Sequence, residues 1–414
     1  MGRGAYTALL RLSMPLVLAR LWWRGAREPQ YRAGVAERFG YYAAPCEAGK
    51  ILWVHAVSVG EARAAAPLVR ALQEALPDHH VLTTCMTAAG RETLRQVFGE
   101  SVSVVWLPYD LPGAVQRFLE HFRPRMGIIM ETEMWPNLLE ACERHGVAVM
   151  LANARMSESS ARGYQRWEAV TGPGFRRLAA VLAQSDADAA RLRALGARRV
   201  EVTGNLKFDV PPDAALVQAG RAWRAKVARP VLLLASTREG EEKRLLEALP
   251  AWDGRRLVLV VPRHPQRFDE VAQLCDSRRT RNAVPEATDK AHLGDTMGEM
   301  AFYYAACDVA VIGGSFEPLG GQNLIEALSA GAPVVTGPHM FNFAEATRLA
   351  VEAGAAVQAP DAPSAIAAAL RLIDDAAARA SMSETGRKLV EQHRGATERH
   401  LDVCLRLLRA RGPG

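Results

Sequence analysis

The sequence predicts an α/β protein with two doubly wound, Rossmann-like domains. Two observations carry this prediction. From Lys50 onward, short apolar runs rich in β-branched residues alternate with helical patterns, and the polar segment Asn205–Pro212 interrupts the alternation once. Such alternation is typical of parallel sheets with helices on both faces. The length of 414 residues, with 49% hydrophobic and 23% charged residues, suits a two-domain α/β protein.

The positive charge of the chain is concentrated at its N-terminus. Residues 1–40 contain seven arginines and two glutamates, which is most of the net charge of +6. The remainder is close to neutral, so no basic face for nucleic acid is expected. Six cysteines lie far apart without a CxxC pair, which favours a reduced, cytosolic compartment and argues against a structural zinc site.

The N-terminal segment predicts contact with a membrane surface. Residues 5–23 are largely apolar but interrupted by Arg11 and Arg20, and their longest uncharged run, Leu12–Ala19, is too short to span a bilayer easily. Arginine flanks, a tryptophan pair and an apolar centre are typical of a segment that lies in the lipid interface. We therefore expect a basic amphipathic membrane anchor over residues 1–40. The alternative is an ordinary amphipathic core helix.

The strands of both domains are predicted from their apolar runs. The first domain should contain strands at 51–57, 81–85, 102–106, 126–130, 147–151, 179–183 and 200–203. The second should contain strands at 231–235, 257–261, 309–312, 333–336 and 355–357. A helix is expected over Glu61–Leu76, and only helices from about Pro363 to Arg411.

The stretch Asp308–Phe343 predicts a ligand-binding loop. A buried strand is followed by two glycine pairs, Gly313-Gly314 and Gly320-Gly321, and then by a short helix that Gly331 ends. Ligands of open α/β sheets bind at the carboxyl ends of strands, where backbone N–H groups and helix N-termini face an anion. We expect residues 313–315 and 320–321 to form a phosphate loop, with Ser315 inside it. A glycine-rich turn without a ligand is the alternative.

Glu61 closes the motif His55-Ala-Val-Ser-Val-Gly-Glu61, at the turn from the first strand to the following helix. A carboxylate at this position is favoured by the helix dipole. It also lies at the carboxyl end of the sheet, where a general base would be needed. The spacing leaves capping and catalysis equally open.

Two further acids, Glu131 and Glu133, follow a buried strand in the motif Met130-Glu-Thr-Glu-Met-Trp-Pro-Asn137. Residues two apart in a strand share a face, so both side chains are candidates for one site. Capping of the next helix is the alternative. Spacing does not decide which acid faces the site.

Two more motifs favour anion contacts. Lys207, in Gly204-Asn-Leu-Lys-Phe-Asp209, is either a solvated linker charge or an anion contact. Arg263 and His264 follow another buried strand and precede a proline-started helix, a combination that suits a phosphate. By contrast, Asp186-Ala-Asp188 follows Ser185 and is better explained as a helix cap than as a metal-binding DxD pair.

Seven motifs in order resemble the lipid A Kdo transferase family, where Kdo is 3-deoxy-D-manno-octulosonic acid. They are HAVSVGE (55–61), METEMWPN (130–137), NARMSESS (153–160), GNLKFD (204–209), STREGEE (236–242), VPRHPQRF (261–268) and GGSFEPLGGQNLIEALSAGAPVVTGPHMFNF (313–343). The resemblance runs from the basic N-terminal segment to the C-terminal helices.

The resemblance implies a membrane-anchored, inverting glycosyltransferase of the GT-B type, whose two Rossmann-like domains face a central cleft. Its donor would be CMP-Kdo and its acceptor a lipid A precursor, at the cytoplasmic side of the inner membrane and in contact with anionic lipid. No cofactor or metal is implied. Residues 41–207 would bind the acceptor, and residues 208–414, including the terminal helices, would bind the donor.

The resemblance also assigns roles to residues. Glu61 matches the proton acceptor, and Glu131 and Lys207 match positions that stabilise the transition state. The CMP contacts would fall on Pro262, Arg263, His264, Met297, Gly298, Glu299, Asn323, Leu324, Ile325 and Glu326. The helix that begins near Asn323 would help to stabilise the charge of the departing CMP.

Two other hypotheses remain from the sequence. A soluble sugar-nucleotide epimerase of the same fold would need neither the arginine-rich segment nor a lipid acceptor. A lipid-binding module without activity would lack the acids, whereas Glu61 and Glu131 are both present.

Overall fold

The computed structural model describes residues 2–43, 50–251 and 254–410, and it divides into two compact units. Unit 1 contains Met1–Val210 and Arg394–Gly414, and unit 2 contains Pro211–His393. Cys46 lies outside the described residues. The remaining five cysteines are free thiols.

Unit 1 is built on a parallel sheet of seven strands in the order β3-β2-β1-β4-β5-β6-β7. Its strands are β1 Lys50–His55, β2 His79–Cys85, β3 Ser103–Trp106, β4 Met126–Met130, β5 Ala148–Ala154, β6 Ala180–Ala183 and β7 Val200–Val202. Its helices are α1 Arg3–Arg27, α2 Val59–Ala75, α3 Ala88–Phe98, α4 Pro112–Phe122, α5 Pro136–Arg144, α6 Glu158–Arg166, α7 Glu168–Arg177, α8 Asp186–Ala194 and, near the end of the chain, α17 Ala396–Arg409. Short 3-10 helices cover Pro29–Arg32, Val35–Phe39 and Leu206–Asp209.

The strands of unit 1 are apolar on both faces because helices cover both. In β1, Leu52 and Val54 pack into the core on one side of the sheet, whereas Ile51 and Trp53 pack into the core on the other. All four are nearly inaccessible to solvent. This arrangement explains why the sequence shows continuous apolar runs instead of an alternating pattern.

Unit 2 has a second parallel sheet of seven strands, in the order β10-β11-β9-β8-β12-β13-β14. Its strands are β8 Val231–Thr237, β9 Leu257–Pro262, β10 Ser277–Arg278, β11 Ala291–Leu293, β12 Val309–Ile312, β13 Val334–Thr336 and β14 Ala356–Gln358. Its helices are α9 Ala214–Val227, α10 Glu241–Glu247, α11 Phe268–Ala272, α12 Met300–Ala305, α13 Leu324–Ala330, α14 Ala344–Glu352, α15 Ala362–Asp374 and α16 Ala376–Gln392, with 3-10 turns at Pro265–Arg267 and Phe341–Phe343.

The prediction of two doubly wound sheets is confirmed. All twelve predicted strands are present, with boundaries shifted by no more than three residues. The short edge strands β10 and β11 were not predicted, because Ser277–Arg278 has no apolar run and Ala291–Leu293 is only three residues long.

The last helix differs from the sequence-based division, which grouped it with residues 208–414. Helix α17 belongs to unit 1, where Val403 and Cys404 are buried in the same core as Leu68 and Leu72 of α2. The carboxylate of Asp209 accepts hydrogen bonds from the N–H groups of Gly395 and Thr397. The chain therefore returns to unit 1 after completing unit 2.

Helix α1 is longer than the apolar segment predicted at 5–23, and it is attached to unit 1 by polar contacts. The Tyr6 hydroxyl donates to Asp110 at 3.0 Å, the Thr7 hydroxyl donates to Asn137 at 3.1 Å, and Arg3 pairs with Glu140. Within residues 2–43, 50–251 and 254–410, no helix is both long and apolar enough to cross a membrane.

Candidate active site

Glu61 lies in the first turn of α2 and is held by the loop before it. Ser58 is the N-cap residue, and its hydroxyl accepts a hydrogen bond from the Glu61 N–H and donates one to Glu61 Oε1 at 2.9 Å. The Val57 N–H donates to Glu61 Oε2, also at 2.9 Å. This exchange resembles a capping box in which Ser58 caps the helix and Glu61 is its partner.

Capping does not exclude a role as a base, because the surroundings of Glu61 favour its protonated form. Burial and the nearby Glu131 carboxylate, with a smaller contribution from Glu133, raise the pKa of Glu61 to about 7. The hydrogen bonds from Val57 and Ser58 act in the opposite direction. A carboxylate with a pKa near 7 is well matched to accepting a proton at neutral pH.

Glu131 follows β4 in a left-handed backbone conformation, with φ of 57°. Its N–H donates to the carbonyl oxygen of Ala152 on the neighbouring strand β5. Left-handed geometry is costly for a residue with a side chain and is often found at functional sites. This turn directs the Glu131 carboxylate to Lys207, whose Nζ lies 2.7 Å from Oε1.

The charge on Glu131 is balanced by two cations. Burial alone would raise the pKa of Glu131, but Lys207 and Arg155, which is 3.8 Å away, lower it below its usual range. The side chains of Glu131 and Lys207 are only 14% and 13% exposed. Glu131 is therefore ionised next to Glu61, and its charge adds to the effect of burial in raising the pKa of Glu61.

Lys207 is positioned by its neighbours in the 3-10 helix Leu206–Asp209. Asn205 Oδ1 accepts the Lys207 N–H, and Asn153 Oδ1 accepts the Leu206 N–H. Asp209 fastens the other end of the turn to α17. Lys207 is thus an ion-pair partner in a structured turn, and the interpretation as a solvated linker charge is wrong.

Glu133 differs from Glu131 in its electrostatic surroundings. Burial and the charge on Glu131 raise its pKa. Neither acid caps α5, whose N-cap residue is Trp135. The buried Asp110 takes that role by accepting hydrogen bonds from the N–H groups of Asn137 and Leu138.

In unit 2, three neighbouring strands bring basic residues and the glycine loop to one edge of the sheet. Arg238 follows β8, Arg263 and His264 follow β9, and the loop from Gly313 follows β12; in the sheet these strands stand in the order β9-β8-β12. Partial burial and the charges on Arg238, Arg263 and Arg267 lower the pKa of His264. This edge suits an anion, as expected at the carboxyl ends of parallel strands.

The glycine loop itself is closed by internal hydrogen bonds. Both Glu241 oxygens are used: Oε2 accepts the Gly314 N–H at 2.6 Å and Oε1 accepts the Phe316 N–H at 3.1 Å. The Gly321 N–H donates to the Gly314 carbonyl, so these three N–H groups are already engaged. Glycine at 313 is required by close approach, since a Cβ there would lie 2.5 Å from Thr237 Cα.

Two more groups of residues predicted to contact the nucleotide are held by side-chain hydrogen bonds within unit 2. Glu299, the N-cap residue of α12, accepts hydrogen bonds from Arg279 Nε at 3.1 Å and from the Thr296 hydroxyl at 2.5 Å, while Met297 is half exposed beside Gly298. Asn323 is the N-cap residue of α13 and donates to Glu326 Oε1 at 3.0 Å.

Burial limits which atoms of these residues can reach a ligand. The side chains of Leu324 and Ile325 are fully buried in unit 2, and Pro262 is also buried at the end of β9. Only backbone atoms at these three positions are available to a ligand. The side chains that are exposed or half-exposed, and so can make contacts, are those of Arg263, His264, Met297, Glu299, Asn323 and Glu326.

Several important residues were not singled out from the sequence. Glu242 is 1% exposed and forms a paired contact with Arg267, with the shorter oxygen-to-nitrogen distance 2.6 Å. Glu241 and Arg155 lie within motifs quoted above, but their spacing gives no sign of their partners. Their partners are distant in sequence, so only the fold identifies these pairs.

The chain matches two described protein families. Residues 33–210 match the family described as 3-deoxy-D-manno-octulosonic-acid transferase (kdotransferase), and residues 286–389 match glycosyl transferases group 1. A structure of S. aureus MnaA with UDP is similar in fold, with a TM-score of 0.60, 16% identity, and coverage of 86% of this chain and 97% of that chain.

Curated relatives match along nearly the whole chain. The 3-deoxy-D-manno-octulosonic acid transferase of Bordetella pertussis is 47% identical, over 97% of this chain and 99% of that protein. The transferase of the same name from Haemophilus influenzae is 35% identical, over 97% and 98%. The resemblance inferred from the seven motifs is confirmed, and the epimerase alternative is not favoured. The chain therefore belongs to the 3-deoxy-D-manno-octulosonic acid (Kdo) transferase family and is a glycosyltransferase with the two-domain GT-B fold.

Proposed function

We propose that the protein transfers Kdo from CMP-Kdo to a lipid A precursor, a step in building the inner core of lipopolysaccharide. The observation that carries the chemistry is Glu61, a carboxylate with a pKa of about 7 beside the ionised pair Glu131–Lys207. The transferred sugar is supported by the relatives, which are named for it. The carrier and acceptor are supported by the resemblance of the seven motifs.

In the proposed step, a hydroxyl oxygen of the acceptor attacks the anomeric carbon of Kdo. Glu61 takes the hydroxyl proton as the new carbon–oxygen bond forms. The bond between the anomeric carbon and the CMP phosphate oxygen breaks, and that oxygen keeps the electron pair. One displacement inverts the anomeric configuration, and the products are Kdo-lipid and CMP.

Glu131 and Lys207 have supporting roles in this proposal. The negative charge of Glu131 disfavours the carboxylate form of Glu61, which strengthens Glu61 as a base. Lys207 keeps Glu131 ionised and supplies a cation close to the reacting groups. Removal of either residue would therefore alter the proton affinity of Glu61 as well as the local charge.

The donor is proposed to bind at the basic edge of unit 2. The phosphate of CMP carries the charge released when the bond to Kdo breaks. Arg263 and Arg238 offer guanidinium donors for that charge, and His264 lies beside them. Because Glu241 already engages the Gly314 and Phe316 N–H groups, side chains are expected to contribute more to phosphate binding than the glycine loop.

Location and domain roles follow the same proposal. Residues 1–40 are proposed to attach the protein to anionic lipid at the cytoplasmic side of the inner membrane. Residues 41–207 are proposed to take the acceptor, and the donor is proposed to bind within residues 208–414. The seven arginines of the first 40 residues support the lipid contact.

Product analysis tests the proposal. The purified protein is incubated with CMP-Kdo and lipid A precursor, and the lipid fraction is analysed by mass spectrometry. A gain of one or more Kdo residues, with matching CMP release, is expected, and the anomeric configuration of the product reports inversion. CMP release without a lipid product, or epimerisation of a UDP-sugar, would contradict the proposal.

A further inference from the structure

Unit 1 contains an open cavity of about 550 Å³. Its walls come from α1, the loop before α5, and helices α6 and α7, and most of its lining is apolar or aromatic. The lining includes Tyr6, Leu9, Met134, Tyr164, Trp167 and Val170. We call this cavity the α1 groove. Its size lies within the range of pockets that take small organic ligands.

The rim of the α1 groove exposes large apolar side chains. Leu9 is 56% and Trp167 is 52% accessible to solvent. Beyond the groove, Leu12 and Leu16 are 79% and 74% exposed on the same helix. Positions 9, 12 and 16 are three and four residues apart, so they form one stripe on α1. An apolar stripe that leads into an apolar cavity marks a binding surface.

The α1 groove is linked to the turn at residues 131–133, which carries Glu131 and Glu133 and which we call the acidic turn. The Tyr164 hydroxyl donates to the carbonyl oxygen of Thr132 at 2.9 Å, and Thr132 stands between Glu131 and Glu133. Met134, the next residue after Glu133, lines the groove and packs against Gly174, where a Cβ would lie 2.5 Å from the Met134 sulfur. The lining of the groove is therefore joined, through Tyr164 and Met134, to the segment that carries Glu131 and Glu133.

We propose that the α1 groove binds one hydrocarbon chain of the lipid acceptor, and this proposal rests on the proposed function. The occupant is argued from continuity. The apolar stripe of α1 lies in the arginine-rich segment that suits an anionic lipid surface, and the groove leads from that stripe to the acidic turn. A chain bound there positions the attached sugar near Glu61. Each methylene group buried strengthens binding about fourfold.

Filling the cavity tests the proposal. Gly163 lines the groove on α6, and a Cβ there would meet nothing within 4 Å. Gly163→Trp therefore adds bulk to open space and removes a helix glycine, so the fold should be retained. Gln165→Trp, at an exposed position of the same helix, is the matched control.

We expect the substitution in the groove to affect the KM for an acylated acceptor and not that for a deacylated one. Gly163→Trp should raise the KM for acylated acceptor at least tenfold, with little change for a fully deacylated acceptor. Gln165→Trp should behave as wild type with both. Equal KM values for all three proteins on the acylated acceptor would overturn the proposal.

A photolabelling experiment separates the groove from the proposed function, because it needs no turnover. A lipid A precursor carrying a diazirine on an acyl chain should label peptides that contain Met134, Tyr164 or Trp167, and Gly163→Trp should remove this label. Label confined to Leu12 and Leu16, or to a contact between two copies of the protein, would reject the groove as the chain site. Labelling in the groove without Kdo transfer would reject the proposed function and keep the groove.

Discussion

The Glu61 side chain is both hydrogen-bonded at the start of α2 and raised in pKa. Its hydrogen bonds with Ser58 and Val57 fix the carboxylate at the start of α2, whereas burial and Glu131 raise its pKa. A carboxylate fixed in this way cannot turn away to solvent and regain the ordinary pKa. The motif at 55–61 left capping and catalysis open, and the structure shows the hydrogen bonds at the helix start together with the raised pKa.

The pH dependence of transfer should report on Glu61. Because the base must be deprotonated, kcat/KM should rise about tenfold per pH unit below pH 7 and level off above it. Glu61→Gln should reduce transfer by roughly 100-fold or more at pH 8, and its deficit relative to wild type should shrink as the pH falls below 7. CMP affinity, measured by calorimetry, is the control and should be nearly unchanged, since Glu61 belongs to unit 1. Near-normal turnover in Glu61→Gln would contradict the proposal that Glu61 is the base.

Replacing only one partner of the Glu131–Lys207 ion pair should destabilise the folded protein. Lys207→Met leaves a buried carboxylate without its closest cation, which should lower the free energy of unfolding by about 3 kcal/mol. The double variant Glu131→Gln with Lys207→Met should regain most of this loss. Urea denaturation of the two single variants and the double variant measures the coupling. Additive effects of the two substitutions would show that the pair contributes no coupling.

Two arginines of unit 2 should respond differently to substitution. Arg263→Ala should weaken CMP binding at least tenfold with little effect on stability, because a charge-assisted phosphate contact is lost. Arg267→Ala should mainly destabilise the protein, because it leaves Glu242, 1% exposed, without its cation. Calorimetry with CMP and thermal denaturation distinguish the two. Unchanged CMP affinity in Arg263→Ala would place the nucleotide elsewhere.

Helix α17 holds the turn that carries Lys207. His400 is fully buried, and burial lowers its pKa to about 4, so the ring is neutral at pH 7. Its Nδ1–H donates to the Ala396 carbonyl, and Nε2 accepts the Asn153 N–H at 3.0 Å. Asn153 in turn accepts the Leu206 N–H, next to Lys207. Helix α17 therefore acts on the position of Lys207 indirectly, through His400 and Asn153.

Removing the His400 acceptor should loosen this turn. His400→Phe keeps an aromatic ring but leaves the Asn153 N–H buried without a partner, at a cost of about 1–3 kcal/mol in unfolding free energy. Transfer should fall, whereas CMP affinity should stay the same. His400→Gln, whose amide oxygen can accept the N–H, should recover part of both losses. Wild-type kcat in a folded His400→Phe protein would contradict the positioning role.

Helices and strands could be predicted from the sequence where residues close together in the chain determine them. Buried parallel strands appear as β-branched runs, and caps such as Ser185 and Asn323 lie next to the helices they begin. Asp110 and Glu241 were missed because each binds N–H groups far along the chain, at 137–138 and at 314 and 316. Such pairings depend on the order of strands in the sheet, which the sequence pattern does not encode locally.

Membrane attachment should depend on the exposed stripe of α1. Leu12→Asp with Leu16→Asp should release the protein from anionic vesicles, since apolar burial is lost and two negative charges are added. Val351→Asp, at an exposed apolar position of α14, is the control. Higher salt should weaken the binding of wild type without abolishing it, because each arginine contributes about 1 kcal/mol near an anionic surface. Sedimentation of the double variant with vesicles as in wild type would contradict this role.

Substitution is a better test than deletion of this helix. The Tyr6 hydroxyl is one of the donors to the buried carboxylate of Asp110, and burial raises the pKa of Asp110 to about 6. Deletion of α1 would take away that donor and one wall of the α1 groove. The sequence alone predicted a separable segment, since the first predicted strand begins only near Ile51. The contacts of residues 3–7 with α5 were not visible in the pattern.

The position of α17 also affects the order of events during synthesis. Unit 2 is inserted between Asp209 and the helix that Asp209 caps, so residues 211–393 leave the ribosome before that helix is made. At about 5–20 residues per second, the delay is roughly 10–40 s. During this time a nascent chain can complete all strands of the first sheet while the turn bearing Lys207 still lacks its anchor. Chains released before residues 396–409 are made would therefore lack a fastened Lys207.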